Sequence, residues 1–307
     1  MRVALLAGGT GGAKLAAGMQ GLVRSDLSVI ANTGDDVEVL GVHVSPDPDL
    51  VTYWLAGEID EDRGWGIRDD SFHAFDQLVR FGAPDWFRLS DRDLAACLYR
   101  RHFLDEGGTL TEAQAQIARA LGVEARVLPI CEEPVRTRVR TATGWHGLQE
   151  YLILERGEPD VAGVELLGVE SARPTPQVLE AIHGAELIVI GPSNPVISIG
   201  PILSVRGVRE EIARAPAPVV AVSPFVAGAV VKGPTGHFMQ ALGRASTAAG
   251  VASLYEGLLD GMVVDDADPD PPPSDPRVLR EPILMQGPEG RERVAEAVLD
   301  FGAALAA

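Results

Sequence analysis

The chain has 307 residues and a formal net charge of −18, and this length suits one large domain or two small ones. The acidic excess argues against nucleic acids and anionic membrane surfaces as partners, because both usually require a basic patch. No apolar run reaches the roughly 20 residues that span a bilayer, and the short N-terminal apolar run is not typical of a signal peptide. Cys97 and Cys131 match no metal-ligand or disulfide spacing, so we expect a cytoplasmic protein with two buried thiols.

The first part of the chain alternates predicted strands with predicted helices. Residues 3–7 form a buried strand, which a glycine-rich turn joins to a helix over 14–22. Residues 27–31 and 39–44 form further strands. From about residue 50 to 122 helical patterns dominate, which indicates a helical insertion.

Strands resume after residue 122, and helices at 176–182, 207–213 and 289–305 separate some of them. The acidic, proline-rich stretch 265–275 is predicted to be an exposed loop without chemistry. The predicted strands are 126–130, 135–141, 149–155, 164–169, 187–191, 219–222 and 282–285.

Apolar strands that alternate with helices predict an α/β fold, with a Rossmann-like, mostly parallel sheet covered by helices on both faces. The predicted core comprises residues 1–50 and 123–307, and the helical insertion comprises 51–122.

The segment after the first predicted strand, Gly8-Gly9-Thr10-Gly11-Gly12-Ala13-Lys14, is the first candidate site. Glycines let backbone amides approach phosphate oxygens, a helix N-terminus adds positive potential, and Lys14 would add a full charge. The spacing matches neither a Walker A loop nor the strict dinucleotide-binding fingerprint. Phosphate binding is favoured over the alternative, a tight turn with a structural role alone.

An acidic cluster is the second candidate. Asp35, Asp36 and Glu38 follow the second predicted strand, and Asp47 and Asp49 follow the third. Carboxylates beside an anion site repel phosphates unless a cation such as Mg²⁺ bridges the two. The alternative is that these residues only cap turns and helices.

For two further groups of polar residues, the sequence is compatible with either a binding role or a structural role. Arg88 and Arg92 flank Asp91, a plausible helix N-cap, and both arginines could face a ligand. Ser193 and Asn194 follow the apolar strand 187–191, where a nucleotide base or ribose could lie, although neighbouring prolines are equally typical of a turn.

Together these segments resemble the 2-phospho-L-lactate transferase family, which builds coenzyme F420. The resemblance extends over nearly the whole chain in family order, and the blocks are specific as a set although each is short. The matching blocks are 7–14, 32–36, 45–49, 63–66, 91–95, 192–195, 200–203 and 232–234.

The resemblance implies that the ribityl hydroxyl of the deazaflavin Fo attacks a guanosine diphosphate ester of lactate or enolpyruvate. A phosphodiester, (dehydro) coenzyme F420-0, forms, GMP leaves, and Mg²⁺ is required. A homodimer is common in the family. Asp49 and Arg88 match positions that contact the deazaflavin, Asp35 matches a metal position, and the insertion 51–122 would form part of the deazaflavin site. Two departures are Ala96-Cys97, where the family usually has Thr-His, and Gly228-Ala229, where it has Gly-Lys.

We therefore expect Mg²⁺ on Asp35 and Asp49 to bridge the diphosphate, and Asp36 or Asp49 to accept the hydroxyl proton. Only two of the 26 basic residues are lysines, and we expect both, Lys14 and Lys232, to face the phosphates across one cleft. No residue indicates whether the donor carries lactate, enolpyruvate or glycerate.

A second hypothesis comes from a related branch of the superfamily, the gluconeogenesis-type factors. These resemble the chain in the glycine segment, bind nucleotide sugars or dinucleotides, and regulate without catalysis. The blocks 45–49 and 63–66 favour the transferase.

Overall fold

The computed structural model describes residues 1–306, in which strands and helices alternate along most of the chain. The strands are β1 (Val3–Ala7), β2 (Leu27–Ala31), β3 (Val37–Val39), β4 (Val42–Val44), β5 (Arg126–Pro129), β6 (Arg136–Thr141), β7 (Gly144–Gly147), β8 (Gly163–Leu167), β9 (Leu187–Ile190), β10 (Val219–Val222), β11 (Phe225–Val226), β12 (Ala229–Val230), β13 (Gly261–Asp265) and β14 (Arg277–Glu281). The helices are α1 (Gly9–Val23), α2 (Pro46–Leu55), α3 (His73–Arg80), α4 (Asp91–Asp105), α5 (Leu110–Ala120), α6 (Leu148–Ile153), α7 (Pro176–Gly184), α8 (Ile199–Ser204), α9 (Val208–Arg214), α10 (Thr235–Ala241), α11 (Ala248–Leu254) and α12 (Gly287–Ala306), with a 3₁₀ turn at Arg24–Asp26.

Within residues 1–306 the main sheet has seven parallel strands in the order β5-β2-β1-β9-β10-β13-β14. Strand β1 is an interior strand, whose Val3 is in register with Leu27 of β2 on one side and with Leu187 of β9 on the other. Strands β2 and β5 therefore extend the sheet on one side of β1, and the later strands β9, β10, β13 and β14 extend it on the other side. In sheets of this kind, ligands bind beyond the carboxyl ends of the strands at the reversal.

Both faces of the main sheet are covered, as predicted for a parallel sheet. Ala4 and Leu6 of β1 pack into a cluster with α7, α8 and α9, whereas Val3, Leu5 and Ala7 pack into another with α1, α2 and α12. The alternation follows from the two-residue period of a strand. The predicted α/β class is thus confirmed. No helix within residues 1–306 combines the length and apolar character needed to cross a membrane.

The predicted helical stretch contains α2 to α5, although α2 begins earlier, at Pro46. The predicted strand 39–44 is instead an antiparallel hairpin, β3–β4, outside the main sheet. Its Val39 and Val42 pack against Phe87 and other residues of the helical stretch in a small separate core.

Two strand predictions are wrong. Residues 149–155 lie mostly in helix α6, where Leu148 and Tyr151 are buried three residues apart, and this is a helical spacing that a short apolar run does not reveal. Residues 282–285 are not a strand: the edge strand is β14, beside the unpredicted β13.

Candidate active site

A cavity of about 360 Å³ opens at the carboxyl ends of β1 and β9, where the strand order reverses. Lys14 of α1 and Lys232, which follows β12, both line it, so the two lysines share one cavity; that they face phosphate groups across it stays a prediction. Its other polar lining residues are Gly8, Gly9, Thr10, Gly11, Asp35, Asp47, Ser193, Asn194, Ser198, Ser223 and Thr235, and its apolar lining includes Leu148, Leu152, Ile197, Val226, Val230, Val231, Ile283, Leu284 and Met285.

The glycine segment is the start of a helix and not a long loop, because α1 begins at Gly9 and not near Lys14 as predicted. Gly9 has a left-handed φ of 61°, which glycine adopts without strain. The N–H groups of Thr10 and Gly11 lie in the first helical turn, so they need acceptors from outside the helix. Both residues line the cavity, so the N-terminus of α1 offers a binding site for an anion there.

The glycines also allow α1 to approach the residues after β9. The N–H of Gly8 donates to Ser193 Oγ at 3.1 Å. A methyl group on Gly11 would overlap the carbonyl oxygen of Pro192, and one on Gly12 would overlap Ser193 Oγ. Gly12, a predicted ligand contact, does not line the cavity, and its observed role is this close packing.

Two carboxylates meet at the floor of the cavity, linked by one amide. Asn32 Nδ2 donates to Asp47 Oδ2 at 2.9 Å and to Asp35 Oδ1 at 3.3 Å. The N–H of Gly9 donates to the other oxygen of Asp47 at 2.5 Å, and Gln149 Nε2 donates to the other oxygen of Asp35 at 3.3 Å. Within residues 1–306 neither carboxylate forms an ion pair.

This placement disfavours two negative charges. Burial raises the pKa of Asp47 to about 6, against the opposing hydrogen bonds from Asn32 and Gly9. Burial, together with the charges of Asp47 and Asp36, raises the pKa of Asp35 well above its usual range. A bound cation would relieve both effects.

The two lysines sit in different surroundings on the cationic side of the cavity. Lys14 Nζ donates to the carbonyl of Met285 at 3.5 Å and lies 5.4 Å from the ring centre of Trp54. Lys232 Nζ lies against Gly64, where a methyl group would overlap it. The block 63–66 therefore touches the cationic side, and the left-handed φ of 74° at Gly64 gives a structural reason for its glycine.

The charge of Lys14 is set by several neighbours. Burial lowers the pKa of Lys14, the nearby Glu61 opposes this, and the cations Arg291 and Lys232 lower it further. Three cations therefore converge here around one carboxylate, which is a field suited to phosphate groups.

Asp36 and Asp49 lie outside the main cavity. Asp36 accepts from Ser45 Oγ at 2.8 Å and pairs with His43 Nε2 at 2.9 Å. Asp49 is 4% exposed and pairs with the fully buried Arg100. Burial raises the pKa of Asp49, and Arg100 opposes the shift.

Helix geometry separates Asp47 from Asp49. Both lie in the first turn of α2, but residues two apart point to nearly opposite sides of a helix. Asp47 therefore enters the cavity while Asp49 turns towards Arg100. The structure places Asp35 beside Asp47, so the predicted metal pair of Asp35 with Asp49 is wrong. The two-residue spacing of Asp47 and Asp49 predicts their separation as soon as α2 is known to begin at Pro46.

Arg88 and Arg92 do not line the main cavity. The Arg88 guanidinium lies 4.3 Å from the ring centre of Phe72. Arg92 pairs with Glu58 at 3.1 Å and donates to the carbonyl of Arg68 at 2.5 Å. In this conformation both guanidiniums contact only the helical stretch.

Ser193 and Asn194 line the cavity and also shape its wall. Asn194 Oδ1 accepts from the N–H groups of Val196 and Ile197 at 2.9 and 3.2 Å, and its Nδ2 donates to Thr235 Oγ1 at 3.2 Å. The turn and the ligand interpretations of this segment are therefore compatible.

A second cavity, of about 280 Å³, adjoins the first and shares Asp35 and Leu148 with it. Trp86 lines it together with Asp36, Arg136 and Arg138. The buried Thr137 Oγ1 in its lining has no hydrogen-bond partner among the described residues. Asp35 thus stands at the junction of two pockets.

Comparison with known proteins identifies the family of the chain. The family model described as 2-phospho-L-lactate transferase CofD matches residues 3–279. The fold also resembles a crystal structure of a UPF0052 family member from Bacillus halodurans, with a TM-score of 0.62 and 19% identity over 97% of this chain and 98% of that one. At this identity the likeness concerns the fold alone.

Curated relatives are much closer in sequence. A 2-phospho-L-lactate transferase from Methanosarcina mazei is 40% identical over 86% of this chain and 87% of its own. One from Methanospirillum hungatei is 39% identical over 97% and 99%, and a phosphoenolpyruvate transferase from Streptomyces griseus is 42% identical over 87% and 86%. These names favour the transferase over the regulatory hypothesis. The chain belongs to the CofD 2-phospho-L-lactate transferase family, and it is a transferase.

Proposed function

We propose that this transferase moves a phospholactyl or phosphoenolpyruvyl group from a guanosine diphosphate donor to the deazaflavin Fo, giving (dehydro) coenzyme F420-0 and GMP. One observation carries the proposal: a single cavity at the sheet reversal has two lysines and a helix N-terminus on one side and a carboxylate pair on its floor. The names of the curated relatives support the transferred groups.

The donor's diphosphate fits the cationic side of the cavity. The free N–H groups of Thr10 and Gly11 offer hydrogen bonds, and Lys14 and Lys232 offer charge. The apolar lining, which includes Val226 and Leu284, offers a surface for the guanosine. Transfer of this kind depends chiefly on positioning and on charge stabilisation, which these groups supply.

Asp35 and Asp47 are the residues that would hold Mg²⁺. Their oxygens are ligands of the type that Mg²⁺ prefers, and burial, which raises the pKa of both, makes their negative charges unfavourable unless a cation is bound. When bound there, Mg²⁺ would neutralise phosphate charge. Asp49 fits this role less well, because its charge is already paired with Arg100.

The acceptor fits the second cavity, since its hydroxyl could then reach the donor beside Asp35. Trp86 offers an aromatic face for a planar ring, and Thr137 offers a buried hydroxyl that lacks a partner. Asp36 lines this cavity and pairs with His43, so it is the better placed of the two predicted bases to accept the hydroxyl proton.

The test compares Asp35→Asn, Asp47→Asn and Asp49→Asn in a GMP-release assay titrated with Mg²⁺. We expect the first two variants to lose at least about 100-fold in kcat, because they remove charge from the reacting centre, and to need more Mg²⁺. Asp49→Asn is the matched control, with an unchanged Mg²⁺ requirement. Near-wild-type turnover of both cavity variants at saturating Mg²⁺ would exclude the metal assignment.

The donor's substituent and the assembly need their own measurements. Mass spectrometry of the product formed with each donor would distinguish lactate, enolpyruvate and glycerate. The proposed homodimer rests on the family resemblance, and light scattering at working concentration would test it.

A further inference from the structure

Asp265 is a buried carboxylate at the carboxyl end of β13, and it does not line the main cavity. It is 3% exposed, and within residues 1–306 it forms no ion pair. Its Oδ1 accepts from the N–H groups of Ala227 at 3.0 Å and Ala267 at 3.3 Å, and its Oδ2 accepts from the N–H of Ile283 at 3.1 Å. One side chain therefore joins three separate segments of backbone.

Two of these segments are walls of the cavity. Ala227 lies in the turn of the β11–β12 hairpin, and the chain that leaves this hairpin carries Lys232. Ile283 begins the other wall, whose Met285 carbonyl lies 3.5 Å from Lys14 Nζ. Asp265 is thus hydrogen-bonded both to the segment that carries Lys232 and to the segment that contacts Lys14.

A carboxylate suits this position because both of its oxygens accept hydrogen bonds. An asparagine has only one accepting oxygen, so its amide group would face an N–H on one of the two walls. Burying an unpaired charge costs free energy, and the hydrogen bonds that the carboxylate accepts from both walls offset this cost. The link between the walls is what the carboxylate adds.

We propose that Asp265 is a positioning residue that sets the separation of Lys14 and Lys232, and through it the affinity for the donor's diphosphate. The inference rests on the proposed function in that the donor binds between the two lysines. It concerns only donor affinity, and it leaves the acceptor's cavity untouched.

The experiment compares Asp265→Asn with Asp268→Asn. Asp268 is a matched control, because it is also buried and lies in the same connection, but within residues 1–306 its carboxylate accepts only from the N–H of Asp270 in its own turn. We expect Asp265→Asn to raise both the Kd for GDP and the donor KM about tenfold, the equivalent of one lost backbone hydrogen bond. The acceptor KM and the kcat at saturation should stay near wild type, as should every constant of Asp268→Asn.

Loss of folded protein alone would lower the apparent kcat and leave both KM values unchanged, and this result would overturn the inference. An equal loss of donor affinity in Asp268→Asn would overturn it as well. If Asp265→Asn does not fold, Asp265→Glu keeps both oxygens and displaces them by one methylene. Unchanged GDP affinity in that folded variant would also refute the role.

Calorimetric binding of GDP separates this inference from the proposed function. If the wild type binds GDP more tightly than Asp265→Asn but transfers nothing to Fo, the positioning role stands and the proposed reaction falls. If the wild type catalyses the transfer and both proteins bind GDP equally, only the positioning role falls.

Discussion

Replacing Arg100 by methionine would remove the only charge partner that the described structure gives to the buried Asp49. Arg100 is completely buried, and it joins three elements. Its guanidinium pairs with Asp49 of α2, contacts Gln114 Oε1 of α5 at 3.2 Å, and donates to the carbonyl of His43 in β4 at 3.1 Å. Methionine fills much of the volume and supplies none of these bonds.

The expected loss of unfolding free energy is about 3–5 kcal/mol, the usual cost of leaving one member of a buried ion pair alone. This corresponds to a fall in Tm of about 10 °C for a chain of this size. Arg100 at present opposes the burial that raises the pKa of Asp49, so the pKa will rise further in the variant. A carboxyl with a raised folded-state pKa is destabilising above its unfolded pKa, and the variant will therefore lose most stability as the pH rises.

Denaturant unfolding at pH 6 and pH 8 measures both effects. Arg101→Met is the control, since Arg101 is the neighbouring residue and its pair with Asp105 is exposed; we expect no measurable change there. The combined variant Asp49→Leu, Arg100→Met should recover most of the stability, because it leaves no unpaired charge. A single Arg100→Met variant within about 1 kcal/mol of the wild type at both pH values would refute this reasoning.

Two further predictions concern the packing of α1 and the charge of the helical stretch. Gly11→Ala should lower stability by about 1–3 kcal/mol and weaken GDP binding, because its methyl group meets the Pro192 carbonyl; Gly21→Ala, in open space on the same helix, should raise stability by about 0.5–1 kcal/mol. Equal Tm values would contradict this. Burial, with the charge of Asp49, raises the pKa of Asp93 to about 7, so the folded state keeps a proton that the unfolded state loses near 3.8, and stability falls as the pH rises between these values. Asp93→Asn should flatten that fall, and an unchanged pH dependence in urea unfolding would show that Asp93 is not its source.

The sequence predicts the centre of this molecule better than its edges. Continuous apolar runs such as 3–7, 187–191 and 219–222 identified buried parallel strands, because few other elements bury every successive residue. The stretches 149–155 and 282–285 also contain short apolar runs, 151–154 and 283–285, but the first lies mostly in a half-buried helix and the second is a cavity wall. Their conformation depends on partners distant in sequence, and periodicity does not reveal those partners.

The candidate site, like the fold, could be predicted from the sequence only in part. Local chemistry predicts the glycine segment and both lysines, and all of these residues except Gly12 and Ala13 line the cavity. The carboxylates of the acidic cluster were predicted to face one cleft. A helix begins inside the cluster, so Asp47 and Asp49 contact different neighbours. Asp47 belongs to the predicted cluster, but Asp49 was predicted in its place as the partner of Asp35, because the direction of each side chain depends on where α2 starts.

The pairing of β1 with β9 has a consequence for the synthesis of this chain on the ribosome. These two strands are 184 residues apart, as measured from Val3 to its partner Leu187, and the cavity lies between the turns that follow them. A growing chain on the ribosome has the glycine segment early, but it lacks the opposite wall until residues 187–285 have emerged. Contacts at such separation form late because loop closure must precede them. A nascent or prematurely terminated chain therefore lacks the complete cavity, and the proposed donor would stabilise only the nearly complete protein.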